Sequence, residues 1–237
     1  MAREAEGARE GGANQMSVKT ENGMHGHFPT VKQFVKCLEK YEEDAERTGK
    51  EPDPVYTTTM KWLRDHWGNP EEMADGIYVF LRIWNQAFYR VGTFNIEKLD
   101  DWLRDRLPQL TELRKRKIQS LNDDEDDEVI HLLYKTLLPV LAVSDGKKKG
   151  LQSQVSVAKA LHALLPDLLP PWDTSIAKKY GCNYRNSKHP EEEYLKICYK
   201  MKEFSAVVSQ WSEVKKRMSP NRSLLKIIDE YNYAWAH

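Results

Sequence analysis

Lys159 and Asp173 are the residues whose types and spacing could do chemistry. They stand on either side of a double-proline corner in Val155–Gly181, VSVAKALHALLPDLLPPWDTSIAKKYG. This is the most apolar stretch of a polar chain. Taken singly, an aspartate ahead of a helix is usually a cap, and a helical lysine is usually a solvated side chain. A chemical role asks for more: an amine that has lost its proton through desolvation or a neighbouring charge.

The elements that must position the pair can be read from periodicity. At roughly 100° per residue, Val157, Ala158, Leu161, Leu164 and Leu165 fall within an arc of roughly 120°, a core-facing stripe. Lys159 lies off that arc and is expected to emerge beside the buried face. His162 sits at the margin, as a partly buried, satisfied histidine or as a binding residue. Pro166 ends the helix, because proline disfavours helical geometry in the residue before it. Pro170-Pro171 stiffens the approach to Trp172 and Asp173. A second helix then starts, with Asp173 or Thr174 as its N-cap and Gly181 as its stop.

These segments resemble the helix-hairpin-helix DNA glycosylases, which place a lysine at the start of an apolar helix and then an aspartate that caps the next. Val155-Ser156-Val157-Ala158-Lys159-Ala160 is similar to the lysine segment. Pro171-Trp172-Asp173-Thr174-Ser175-Ile176, followed by Lys179-Tyr180-Gly181, is similar to the aspartate segment. Leu113–Leu121, LRKRKIQSL, is similar to the family's preceding basic helix. The family's hairpin carries a G-x-G turn where this chain has Val155-Ser156-Val157. The K-A-L-H…P…W-D pattern is also similar to that of an uncharacterised prokaryotic group, which implies no activity.

The resemblance to the glycosylases implies a base-excision activity on DNA without a cofactor. Lys159 would be the amine nucleophile that displaces a damaged base from the sugar C1′ and forms a Schiff base. Asp173 would activate it and stabilise the positive charge. Trp172 or Tyr184 would stack on a base flipped out of the duplex. The glycine-bounded Lys147-Lys148-Lys149 loop is either a solvated turn or a phosphate grip. Two other readings stay open: a DNA-binding relative without catalysis, and a helical interaction or scaffold protein in which Lys159 and Asp173 are a structural ion pair.

The rest of the chain sets the fold class. The 237 residues include 40% apolar and 30% charged side chains, with 36 basic residues balancing 36 acidic ones. Net charge therefore favours no partner, and a basic surface must come from local segregation. No run approaches the length of a membrane span, and the N-terminus lacks the apolar centre of a signal peptide, so a cytoplasmic location and no membrane partner are expected. Cys37, Cys182 and Cys198 are widely spaced and are assigned neither metal nor disulfide.

Residues 1–27 carry five glycines and scarcely any large apolar side chain, the composition of a disordered tail. From Pro29 onward the apolar residues recur at three- and four-residue steps. One stripe, Ile77, Phe80, Leu81, Trp84, Phe88 and Val91, predicts a single helix from Pro70 to Val91, taken as core. A further helix from Phe94 is expected to restart at Pro108. The basic run Arg114–Lys117 and the acidic run Asp123–Glu128 read as solvated helix ends, with a phosphate contact as the alternative for the basic one. A buried helix over Ile130–Leu141, a long one opening at His189-Pro190 and a last one through Leu224–Tyr231 complete the chain. The expectation is an all-α fold: a single globular, orthogonal multi-helix domain of about nine helices over residues 28–237, with possible sub-parts 28–122 and 123–237.

Overall fold

Proline opens three of the helices in the computed structural model, at Pro54, Pro70 and Pro190, where the missing N–H costs nothing. Side-chain caps open five more, among them Ser223 Oγ, which accepts the Lys226 N–H ahead of the last helix. Thr30 and Gln33 form a reciprocal capping box ahead of the first helix, which therefore begins after Pro29 rather than on it. Asn95 Oδ1, Ser153 Oγ and Asp173 Oδ1 each accept a backbone N–H three residues on. The structure describes residues 28–47, 53–182, 184 and 187–236, so the tail over 1–27 and a helix stop at Gly49 lie outside the described residues.

The fold is all-α. Among the described residues the helices are α1 (Val31–Arg47), α2 (Pro54–Asp65), α3 (Pro70–Trp84), α4 (Gln86–Tyr89), α5 (Ile96–Leu113) and α6 (Asp123–Val140), then α7 (Gln154–Leu164), α8 (Thr174–Lys179), α9 (Pro190–Val208), α10 (Ser212–Arg217) and α11 (Leu224–Ala236). They contain no β-strand; an isolated bridge pairs Ser219 with Arg222 around the Pro220-Asn221 turn. The count exceeds nine because α4 and α10 are short pieces split from longer expected helices.

One hydrophobic core runs from Phe34 on α1 to Tyr231 on α11. The first and last helices pack together, α3 lies along α5, α6 along α9, and α7 touches α2, α3 and α6. Packing on several sides buries α7 all round. Ala160, His162 and Ala163 are as inaccessible as Val157 and Leu161, so the stripe is wider than periodicity alone predicts. From Ser156 to Leu165, Lys159 is the one residue that is not buried.

Two local expectations are corrected. Helix α5 runs through Pro108 without a restart, held against α3 by Leu103 and Leu110, so tertiary packing outweighs the lost hydrogen bond. The helix then stops at Leu113, and Leu113–Leu121 is a turn ending in a short 3₁₀ segment at Ile118–Ser120, not a basic helix.

The basic run is not a free phosphate contact either. Arg114 lies 3.9 Å over the Trp67 ring and donates to the Leu164 carbonyl at the end of α7. Arg116 grips Asp126 with two bonds, at 2.5 and 2.7 Å. Asp126 is thus buried, against the reading of its run as solvated. Arg116→Ala leaves that carboxylate without its fork, and is expected to lower the unfolding free energy by roughly 1.5–3 kcal/mol in urea titrations. A loss under about 0.5 kcal/mol would mark the pair as an ordinary surface contact.

Candidate functional site

The site is made by a break in a helix. The stripe from Ile77 to Val91 predicts one continuous helix, but the chain leaves helical geometry at Asn85, with φ −126° and ψ 39°. The cause is a pair of hydrogen bonds from Asn85 Nδ2, to Ser153 Oγ at 3.1 Å and Ser156 Oγ at 2.7 Å. The Phe88 N–H turns to the Asn85 carbonyl, and the Trp84 carbonyl is released from the ladder. The Lys159 amine takes it, donating to Trp84 O at 2.5 Å.

A second lysine lies near the same residue. Lys226 of α11 is 2% exposed, and its Nζ sits 4.8 Å from the Trp84 ring, 5.1 Å from Tyr56 and 5.7 Å from Tyr41. Three carboxylates face it: Asp53 at 2.8 Å, Asp229 at 3.4 Å and Glu230 at 3.9 Å. Asp53 also accepts the Trp84 indole N–H at 2.7 Å. It does so from a left-handed backbone, φ 55° and ψ 61°, a conformation that aspartate tolerates better than most side chains. Glu230 is shared with Arg222, which reaches on to Glu42 of α1.

The two amines differ in their electrostatics. Burial would push the Lys226 proton off, but Asp229, Asp53 and Glu230 together outweigh it and hold the group charged, well above an ordinary lysine. For Lys159 burial wins. Its pKa is lowered by desolvation and by the Lys226 charge, against the pull of Asp229, Asp173 and Asp53. Asp229 is raised to about 6, because burial outweighs the attraction of Lys226. The arrangement is therefore a partly accessible amine with weakened hold on its proton, beside a carboxylate that exchanges protons near neutrality. That is what an amine nucleophile needs from its surroundings.

Asp173 is the N-cap of α8, accepting the Ile176 N–H at 2.8 Å, and it acts on Lys159 through space. The Lys159 amine donates to a main-chain carbonyl, that of Trp84. His162 is fully buried on another face of α7. The Leu169 carbonyl can only accept, so Nδ1 carries the proton (2.8 Å) and Nε2 accepts from Tyr56 OH (3.0 Å). Desolvation pushes its pKa down to about 3.

Trp172 is 1% exposed, packed against Tyr184 and Tyr194, and Tyr184 is itself buried beside Thr174. Neither ring presents a face on which an extruded base could stack. The reason is the proline corner, where Tyr194 of α9 donates to the Pro170 carbonyl and closes over both rings. Lys147, Lys148 and Lys149 are exposed on a loop tied to Thr93 and Val143, and none of them bonds to the Lys159 group. The charges nearest Lys159 are mostly carboxylates, not a basic groove.

Sequence reasoning missed Asp53, Trp84 as a carbonyl donor to the site, Lys226, Asp229 and Glu230. On α11 the charged trio reads as a solvated ion-pair face, opposite Leu224, Leu225, Ile227 and Ile228. The only available signal was the trio's placement in the middle of an otherwise apolar helix. Comparison with protein-family models, with curated proteins and with solved structures gave no match. The glycosylase resemblance therefore rests on the Lys159 and Asp173 segments alone.

Lys226→Met removes the cation that balances three buried or half-buried carboxylates. It is expected to cost about 3–5 kcal/mol, measured by chemical unfolding, far more than a surface lysine. A second expectation concerns pH. His162, with a folded pKa of about 3 against 6.5 unfolded, contributes stability that is present above pH 6.5 and lost on acidification. Asp229, raised from 3.8 to about 6, has the opposite sign: its contribution is present below 3.8 and lost as pH rises through 6. Between roughly pH 4 and 6 the two slopes oppose, each at most about 1.4 kcal/mol per unit. Asp229→Asn removes one of them, so the urea midpoint of that variant should fall more steeply than wild type from pH 6 to 4. Parallel profiles would refute the assignment.

Proposed function

We propose that the chain is a lysine-nucleophile enzyme acting on nucleic acid, in the manner of a base-excision glycosylase. The observation that carries this reading is the amine of Lys159, the one half-buried residue between Ser156 and Leu165, held by the Trp84 carbonyl, with burial and Lys226 loosening its proton. In this reading Lys159 Nζ bonds to the sugar C1′ as the bond from C1′ to the base breaks. The proton released by the amine passes through a carboxylate, Asp173 or Asp229, to the departing base. Opening of the C1′–O4′ bond then gives a protonated imine and an alkoxide that takes up a proton. The capping bond of Asp173 fixes where that carboxylate stands.

A second reading, a non-catalytic helical interaction protein, is favoured by the solvent face of α2 and α3. Val79 and Ile83 are 55% and 52% exposed one turn apart on α3, beside Trp62 at 38% on α2. Trp62 lies over Gly76, where a Cβ would stand 2.7 Å from its ring, so the apolar face is continuous across the two helices.

Borohydride trapping on duplexes with abasic sites or oxidised bases separates the two. A covalent adduct is expected with the wild type, lost in Lys159→Arg, and slowed in Asp173→Asn and Asp229→Asn. Trapping should reach its plateau at a pH below that at which an ordinary lysine loses its proton, because the Lys159 pKa is lowered. No adduct on any substrate, or one that persists in Lys159→Arg, leaves the interaction reading standing.

A further inference from the structure

A separate corner of the molecule carries cations without carboxylate partners. Arg82 leaves α3 about 200° round the helix from Trp84, so it serves a different face from the Lys159 group. Its Nη1 donates to the Tyr89 carbonyl at 2.8 Å, which fixes the guanidinium and leaves its remaining N–H donors free to turn outward. Arg82 and Arg90 line a pocket of about 280 Å³ with Tyr78, Tyr89, Gly92, Thr93 and Asp145.

The floor of that pocket depends on glycine. Gly92 has φ +155°, and a Cβ there would stand 2.6 Å from Val143 and 2.7 Å from Asp145 Oδ1. Close approach lets the following loop fold down onto this segment. The Ser144 N–H and hydroxyl both donate to the Thr93 carbonyl, at 2.7 and 2.8 Å, and Asp145 Oδ1 accepts the Thr93 N–H at 3.3 Å. The exposed Lys147, Lys148 and Lys149 follow directly in the chain on Asp145, which lines the pocket.

Elsewhere most of the described arginines have an acidic partner, Arg106 and Arg114 being the exceptions. Arg47, Arg64, Arg104, Arg116, Arg217 and Arg222 all pair with carboxylates. Arg82, Arg90 and the three loop lysines have no such partner among the described residues. The one carboxylate present, Asp145, is engaged by a backbone amide. Two exposed arginines and a nearby lysine-rich loop therefore share this corner with one acid, Asp145, in a chain whose charges balance overall. A guanidinium fork and a ring of ammonium groups are the donors that phosphate oxygens take up.

We propose that this corner is a phosphate-binding site, with Arg82 and Arg90 gripping the phosphate over Gly92 and the Lys147–Lys149 loop closing its mouth. The proposal does not depend on Lys159 being a nucleophile. The phosphate is that of a free phosphate ester or of a nucleic-acid strand.

Titrations of the isotope-labelled full chain, followed at the Gly92 and Thr93 amides by NMR, distinguish these sources. The probes are inorganic phosphate, a nucleoside 5′-monophosphate and a short single-stranded oligonucleotide. Saturable shifts are expected at low salt. Among the described residues Arg90 makes no side-chain bond, so Arg90→Gln should stay folded and weaken binding about tenfold, the equivalent of one charge-assisted hydrogen bond. The Arg82→Gln/Arg90→Gln double variant should weaken it further. Tighter, strongly salt-dependent binding of the oligonucleotide, relaxed by replacing Lys147, Lys148 and Lys149 with glutamine, assigns the site to a strand. Equal binding of the monophosphate and the oligonucleotide assigns it to a free ester. Absence of saturable shifts with all three probes, or shifts unchanged by Arg90→Gln, overturns the proposal.

Discussion

The constraint on which the rest of the structure depends is the ammonium of Lys226, buried where water cannot reach it. A lone charge in such a place would not survive as a charge. It survives because three carboxylates and three aromatic rings are brought to it. Those partners come from far apart in the chain. Asp53 precedes α2, Tyr41 sits on α1, Trp84 ends α3, and Asp229 and Glu230 lie on α11 itself. The network continues through Arg222 to Glu42, so α1 and α11 are fastened by charge as well as by the stacking of Phe34 on Tyr231. An apolar cluster of the same volume could have been as stable. What the ionic version adds is direction: each carboxylate and ring has one place to stand, and Asp53 accepts a left-handed backbone to reach it.

That direction is what makes Lys159 unusual. Its own helix would leave it an ordinary half-exposed lysine. The break at Asn85 gives it a carbonyl to hold, and Lys226 gives it a like charge near the same indole, whose ring centre is 5.3 Å from Lys159 Nζ and 4.8 Å from Lys226 Nζ. Two ammonium groups on one ring cannot both be equally comfortable. Lys226 has the direct ion pairs and keeps its proton, while Lys159 feels its carboxylates through space and holds its proton less firmly. The difference arises from position alone, since both are lysines on helices.

Legibility in the sequence follows the range of the interactions. Caps and stripes are local, so the all-α class, the N-cap role of Asp173, the Asn95 helix start and the proline corner could all be read directly. The break at Asn85 could not, because apolar periodicity continues through it and the serines that cause it lie about seventy residues away. Trp172 and Tyr184 read as available aromatic rings, but whether a ring is offered or sealed depends on α9, which arrives later in the chain. The Lys226 group was the least legible part. Two of its acids, Asp229 and Glu230, look like exposed partners on its own helix, and the third, Asp53, lies far away in the chain. The Lys159 position itself was legible, since its angle off the apolar arc is a local property; its carbonyl partner was not.

The overall neutrality of the chain conceals a strong sorting of charge. Carboxylates gather around Lys159 and Lys226, while Arg82, Arg90 and the Lys147–Lys149 loop lie in a corner with one acid, Asp145. Nucleic acid placed over the acidic group would meet repulsion at its phosphates, whatever a base or sugar gained there. If one ligand uses both regions, its phosphates belong with the arginines and its uncharged or electrophilic part with Lys159. The segment from Arg82 to Thr93 joins the two, since Trp84 holds the amine and Asn85 binds the start of α7. Under the two proposals a neutral protein would offer an anion one face and an electrophile another, with a short stretch of broken helix between them.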